Sequence, residues 1–325
     1  MMNFGKSGLR LALAAGFVLA AATATASPAL AAGPTLAGPI QVGGSPFAIA
    51  VDPLTSAVYT ANSAGNSVTV IDGRTKRVTA TIPVGRQPEG VAVNTATDTV
   101  YVTSIRDNTV SVINGRTNKV TATIPVGNGP VGVAVNSATN TVYVTVAGGN
   151  SLFVINGRTN TVTTTIKVGS SPAEVAVNPV TNTVYVANFG SVSMSVINGR
   201  TNTVTTTIQD IEFPDEIAVD STTNTVYVPD DIGRLLVISG ATNTRTATIQ
   251  VGHELNGVAV NPLTSTIYVT GELDNTVYLL NTHTNKVTST FTVGNNLPFA
   301  IAVNPLTATA YVTNRANNTV SLITN

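Results

Sequence analysis

Seven tyrosines recur at a nearly fixed interval, and that interval constrains the fold more than any other feature of the chain. Tyr59, Tyr101, Tyr143, Tyr185, Tyr227, Tyr268 and Tyr311 follow one another at 41–43 residues, each in a short β-branched or apolar setting. A Val-Gly pair keeps step with them, ending at Gly43, Gly85, Gly127, Gly169, Gly252 and Gly294, with Ile211 in its place in the fifth copy. So does a Gly-Arg-Thr turn beginning at Gly73, Gly115, Gly157 and Gly199. A period of this length marks one supersecondary unit repeated side by side. In the second copy the strand-like runs are 90–94, 99–103, 109–114 and 119–125, separated by Asn, Asp and Gly turn chemistry. Four short antiparallel strands in about 40–45 residues make a propeller blade. A parallel β-helix is the rival, but its coils are usually shorter than this.

The two ends argue for closure. The seventh copy stops after its third strand, 319–324, while an orphan stretch, 35–42, precedes the first copy. Ile40-Gln41-Val42-Gly43 matches Ile82-Pro83-Val84-Gly85, the end of a fourth strand. The expectation is an all-β, seven-bladed β-propeller of four-stranded antiparallel blades, its ring closed by the N-terminal strand. Pairing the ends hides two sheet edges.

Composition narrows the chemistry. The chain has no cysteine, which removes disulfides, thiolate nucleophiles, zinc–thiolate sites and iron–sulfur clusters. Sixteen Lys+Arg balance sixteen Asp+Glu, so nothing in the net charge calls for a nucleic-acid partner. Lys6 and Arg10 precede an apolar run, 11–22, with small-residue cleavage sites at Ala24-Thr25-Ala26 and Ala29-Leu30-Ala31. That pattern predicts a cleaved secretory signal over 1–31 and one propeller domain over 32–325, with no membrane span. The expected product is a monomer, secreted or loosely held at the cell surface.

Tyr101-Val102-Thr103, Tyr143-Val144-Thr145, Tyr268-Val269-Thr270 and Tyr311-Val312-Thr313-Asn314 resemble the YVTN-type β-propeller repeat family. The accompanying Val-Asn-Pro and Val-x-Val-Ile-Asn-Gly strings carry the resemblance over nearly all of residues 40–325. It implies a secreted, bacterial-type seven-bladed propeller and is weak for function. Related seven-bladed propellers include lactonases and a streptogramin-cleaving lyase, the latter with a His/Glu cluster that has no counterpart here.

Strand order sorts loops by face. Loops from an outer strand to the next inner strand share one side with loops joining strands two and three; this is the upper face. Turns joining strands one to two and three to four form the lower face. Arg74, Arg116, Arg158 and Arg200 fall below, as a basic arc for an anionic polymer or as simple turn braces. His253 falls above and His283 below, which speaks against a shared metal site or acid–base pair. Ten of the sixteen acidic residues lie between Asp210 and Asp274. Loops that are mostly neutral elsewhere become Asp210, Glu212, Asp215 and Glu216, then Asp230 and Asp231, in blade five. Blade six adds His253, Glu254, Glu272 and Asp274. Aligned copies bring Glu89, Glu174, Asp215 and Glu216 to the start of inner strands, near the channel mouth. Gathered carboxylates suit calcium or another hard cation, and they equally make a solvated acidic rim. The function expected is a binding or scaffold module for an unknown extracellular ligand or protein, working through the upper face over blades four to six. The alternative is a cation-assisted lactonase- or lyase-like enzyme with its site over the channel.

Overall fold

The computed structural model describes residues 33–294 and 296–325; the expected signal, residues 1–31, lies outside them. The described strands form seven four-stranded antiparallel sheets. Blade two is typical: Pro88–Asn94, Thr99–Ser104, Thr109–Asn114 and Lys119–Pro125 pair in chain order. First strands of neighbouring blades contact one another around the ring, blade seven reaching blade one. The only helical pieces among the described residues are single 3-10 turns, Ala147–Gly149 and Phe189–Ser191. No described helix is long and apolar enough to cross a membrane.

Closure occurs as the ends of the chain require. Thr35–Gln41 pairs antiparallel with Thr319–Thr324 as the outer strand of blade seven, Thr35 opposite Thr324 and Gln41 opposite Thr319. A register shift between Ala37 and Ile40 accommodates Pro39, which has no N–H for the ladder. The Ser45 amide donates to Asn318 Oδ1 at 2.7 Å, fixing the entry to blade one.

The repeat markers are the contacts between blades. All seven tyrosines are at most 2% exposed, and the Tyr101 and Tyr311 hydroxyls approach the Gly157 and Gly73 carbonyls of the following blade. A Cβ on Gly73 would stand 2.5 Å from the Tyr311 hydroxyl and 2.7 Å from the Ser56 carbonyl, so the Gly of Gly-Arg-Thr permits the close approach. Asn94 donates to Asn140, Asn136 to Asn182 and Asn178 to Asn224 at 2.7–2.8 Å, running from each blade to the next. The Thr that follows Tyr-Val also reaches across. Thr103, Thr145 and Thr270 donate to the Val131, Ala173 and Phe299 carbonyls at 2.5–2.6 Å, pinning the start of the next inner strand.

Blade five departs from this scheme. Its inner strand is only Ala218–Asp220, against six or seven residues in the others. Ala187 stands where a pinning Thr would be, and Asp210 and Phe213 take left-handed φ of 59° and 41°. Ile211, in place of the glycine, is fully buried with Ala187, Met194 and Val228. Burying such a side chain stabilises by about 1.5–3 kcal/mol, which helps hold the segment without its ladder.

Candidate functional site

Each inner strand starts at the upper end of the channel, and the second residue of that start faces the lumen region. Reading around the ring, this position is Phe47, Glu89, Val131, Ala173, Asp215, Asn256 and Phe299. Together with the next residue in several blades, it lines a cavity of about 90 Å³ at the channel mouth. A volume so far below the ~300 Å³ of a drug-sized pocket suits a head group or a short side chain.

The cavity has two unlike walls. On the side of blades four and five are Glu174, Asp215 and Glu216. Glu216 Oε2 accepts the Val258 amide of blade six at 2.9 Å, and Glu174 Oε1 accepts its neighbour's Val175 amide at 3.2 Å. Room for both comes from glycine: a Cβ on Gly257 would stand 2.9 Å from Glu216 Oε2, and one on Gly132 would stand 2.7 Å from Glu174 Oε1. Opposite, Phe47 and Phe299 meet with ring centroids 4.5 Å apart. The Arg315 guanidinium lies over both, 4.7 Å from Phe299 and 5.3 Å from Phe47, a cation–π geometry. Its Nη1 is 3.8 Å from Glu272 Oε1, and Asn256 donates to Glu272 Oε2 at 2.7 Å. Glu89 completes the mouth, accepting from Gln87 at 2.9 Å.

The acidic wall is electrostatically unfavourable as it stands. Burial, and secondarily the Asp215 charge, pushes Glu174 up to about 8. Burial followed by the charges of Asp231, Glu272 and Glu254 pushes Asp215 up to about 7. Glu216 lies well above the usual carboxyl range, from burial first and the Glu174 charge second. Burial also raises Glu89, Asp231 and Glu272, with Arg315 opposing it at Glu89 and Glu272. Desolvation and like charge both oppose ionisation, so an incoming cation relieves the site rather than adding strain.

The remaining acidic candidates divide. Asp231, Glu254 and Glu272 act on Asp215 through their charges and belong to the surroundings of the mouth. Asp230 is a loop brace instead: it is fully buried and accepts both the Arg234 amide and Nε at 2.7 Å. Asp274 forms a separate rim cluster, accepting the His253 amide and the Tyr278 hydroxyl, each at 2.7 Å, with His253 Nδ1 at 3.2 Å. Burial works against ionisation of Asp274, but these hydrogen bonds outweigh it and hold the carboxyl below its usual range. Asp210 is exposed and Glu212 half-buried in the rim loop, and neither lines the cavity. Beside them Phe213 stacks on Phe189, centroids 5.2 Å apart, both partly exposed. His283 sits in a lower turn, away from His253. Among the described residues, no group of three His, Asp or Glu side chains is placed to hold a metal ion.

Sequence reasoning found the acidic wall and missed the aromatic one. Phe47 and Phe299 occupy the same repeat column as Glu89 and Asp215, so reading that column for all its members, charged or not, would have found them. Arg315 had only its place in a loop joining strands two and three to mark it.

No family model matches the chain. No curated protein matches it either. The likeness to YVTN-type repeats therefore rests on the repeat strings themselves. Solved structures do match: a chain of Kuenenia stuttgartiensis hydrazine synthase superposes with a TM-score of 0.78 at 20% identity, covering 88% of this chain and 97% of that one. With 1786 solved chains matching, the likeness supports the seven-bladed fold and names no activity.

Proposed function

We propose that this protein is an exported binding module that captures a small cationic group at the upper mouth of its channel. The reading is carried by one observation: Glu174, Asp215 and Glu216 converge on a single cavity whose far wall is Phe47 and Phe299. An ammonium on a short apolar stem fits that division, with its charge at the carboxylates and its stem against the rings. A polyamine end, an alkylamine or a lysine side chain has this form. Blades four and five supply the acidic wall; blades seven and one supply the other. The test is thermal shift with butylammonium, spermidine and calcium chloride, because a ligand of the native state raises the melting temperature. A rise with the ammonium ions that disappears in Glu174→Gln/Glu216→Gln supports the reading. No rise, or an equal rise in the variant, contradicts it.

The enzyme alternative has its own support. Carboxyls shifted to about 7 and about 8 in one cavity are suited to giving and taking protons at neutral pH. A lactonase- or lyase-like activity would show as turnover of a lactone panel abolished by Glu174→Gln. Cation binding without turnover selects the binding module.

A further inference from the structure

We propose that the lower face of the ring docks on an anionic lipid surface, with its exposed leucines at the interface and its basic turns on the headgroups. The balanced composition conceals a strong division between faces. Among the described residues, the lower turns and adjoining strand ends carry nine Lys and Arg and four Asp; the upper ones carry five basic and twelve acidic residues. All nine lower bases are exposed, including Arg74, Arg116, Arg158 and Arg200, although the Arg245 guanidinium is turned to the Asp210 carbonyl of the neighbouring blade. The lower acids are buried or half-buried, and three of them are engaged in their own turns. Asp52 accepts the Leu54 amide, Asp72 the Arg74 amide and Asp220 the Thr222 amide. The lower face is positive although the chain as a whole is neutral, so the net charge does not describe what that face can attract.

The upper face exposes Leu273 and Ile232 singly, whereas the lower face exposes apolar residues at one repeated turn. Leu54, Leu263 and Leu306 are 71%, 67% and 63% exposed. They occupy the same turn, each after a proline, in blades one, six and seven, which are neighbours across the closure. Blade four places Val180 there, 75% exposed, while blades two, three and five have Ala96, Ala138 and Thr222, so the turn does not need a large apolar residue. Exposed leucines scattered singly are ordinary, but three on adjacent turns form an arc.

Charge complementarity supplies the occupant: an anionic leaflet matches the excess of exposed bases on this face. Each basic side chain near an anionic leaflet adds attraction, and leucines can enter the acyl boundary. A soluble polyanion would use the bases and leave the leucines wet.

The test is vesicle flotation of residues 33–325, which contain all seven complete sheets. Vesicles with about 30% phosphatidylglycerol are compared with pure phosphatidylcholine, at about 50 and 300 mM salt. The expected result is flotation with the anionic vesicles only, lost at the higher salt. Leu54→Asp/Leu263→Asp/Leu306→Asp and Arg116→Glu/Arg158→Glu/Arg200→Glu should each reduce binding about tenfold or more with the melting temperature kept. Asp210→Asn/Glu212→Gln, on the upper rim, should float like the parent. Equal binding to neutral vesicles, flotation unaffected by the leucine or arginine variants, or no flotation overturns the proposal. Salt-sensitive self-association without vesicles also overturns it, because the positive face would then be docking on the acidic face of another copy.

Discussion

Blade three and blade five share one repeat pattern and differ where each begins. Blade three opens with Pro130–Asn136, and Thr103 of the preceding blade pins its Val131 carbonyl. Blade five reaches the same place as Pro214-Asp215-Glu216, outside any strand, with Ala187 where the pinning Thr would be and Ile211 as its buried anchor. Position is kept in both, but only one spends its side chains on the scaffold. The other replaces ladder and pin with apolar burial and turns two carboxyls toward the channel. A repeated fold can thus release one segment for other work, because the other six blades still hold the ring.

The comparison implies that damage to the scaffold costs stability, whereas neutralising the mouth does not. The largest effect should come from deleting residues 33–42. This strips the outer strand from blade seven and opens the ring, lowering the melting temperature by about 10 °C or more. A deletion variant that melts with the parent would break the distinction at its root.

Next in size is a contrast between adjacent residues. Asp230→Ala removes the buried acceptor of the Arg234 amide and of the half-buried Arg234 Nε, and should cost about 1–3 kcal/mol. Asp231→Asn, where burial first and neighbouring charges second already disfavour the ionised form, should be neutral or slightly stabilising. Chemical denaturation of the two variants measures both, and equal losses would show that the loop does not divide its acids between brace and mouth.

A smaller and opposite effect is expected at the mouth itself. Glu174 and Asp215 have folded pKa values above their unfolded ones, so the native state binds more protons between about pH 4 and 8. Their contribution to stability is fully present below the unfolded pKa and is lost as pH rises through about 7 and about 8. The melting temperature should therefore fall by several degrees between pH 5 and 9, and Glu174→Gln/Glu216→Gln should flatten that fall. The lowered carboxyls Asp72, Asp107, Asp220 and Asp274 lose their contribution only as pH falls through their depressed values, in a separate window. A flat profile in the parent from pH 5 to 9 would contradict the burial of these groups.

The scaffold was legible because each of its contacts recurs. Tyr, Gly, Asn and Thr appear at one interval since each reaches the same neighbour in the next blade. The closing strand was legible because one copy lacked what the N-terminus offered. The site was legible only where it broke the pattern with charge, as at Asp215 and Glu216. Phe47 and Phe299 break it with apolar residues, which a hydrophobic chain disguises. Asp230 shows the reverse error: a departure from the pattern that serves only its own loop. Facial charge was out of reach of a single net value, because lower acids turn inward while lower bases reach out.

The most direct test of the channel-mouth reading is calorimetric titration of butylammonium into the parent and Glu216→Gln proteins at pH 6 and pH 9. The amine stays charged at both, with a pKa near that of lysine, about 10.4. Carboxyls that must ionise to receive a cation give binding that strengthens about tenfold or more from pH 6 to pH 9, and releases protons at the lower pH. The variant should bind more weakly at pH 9. Affinity independent of pH, with the same value in parent and variant, would mean that the acidic wall does not bind the cation.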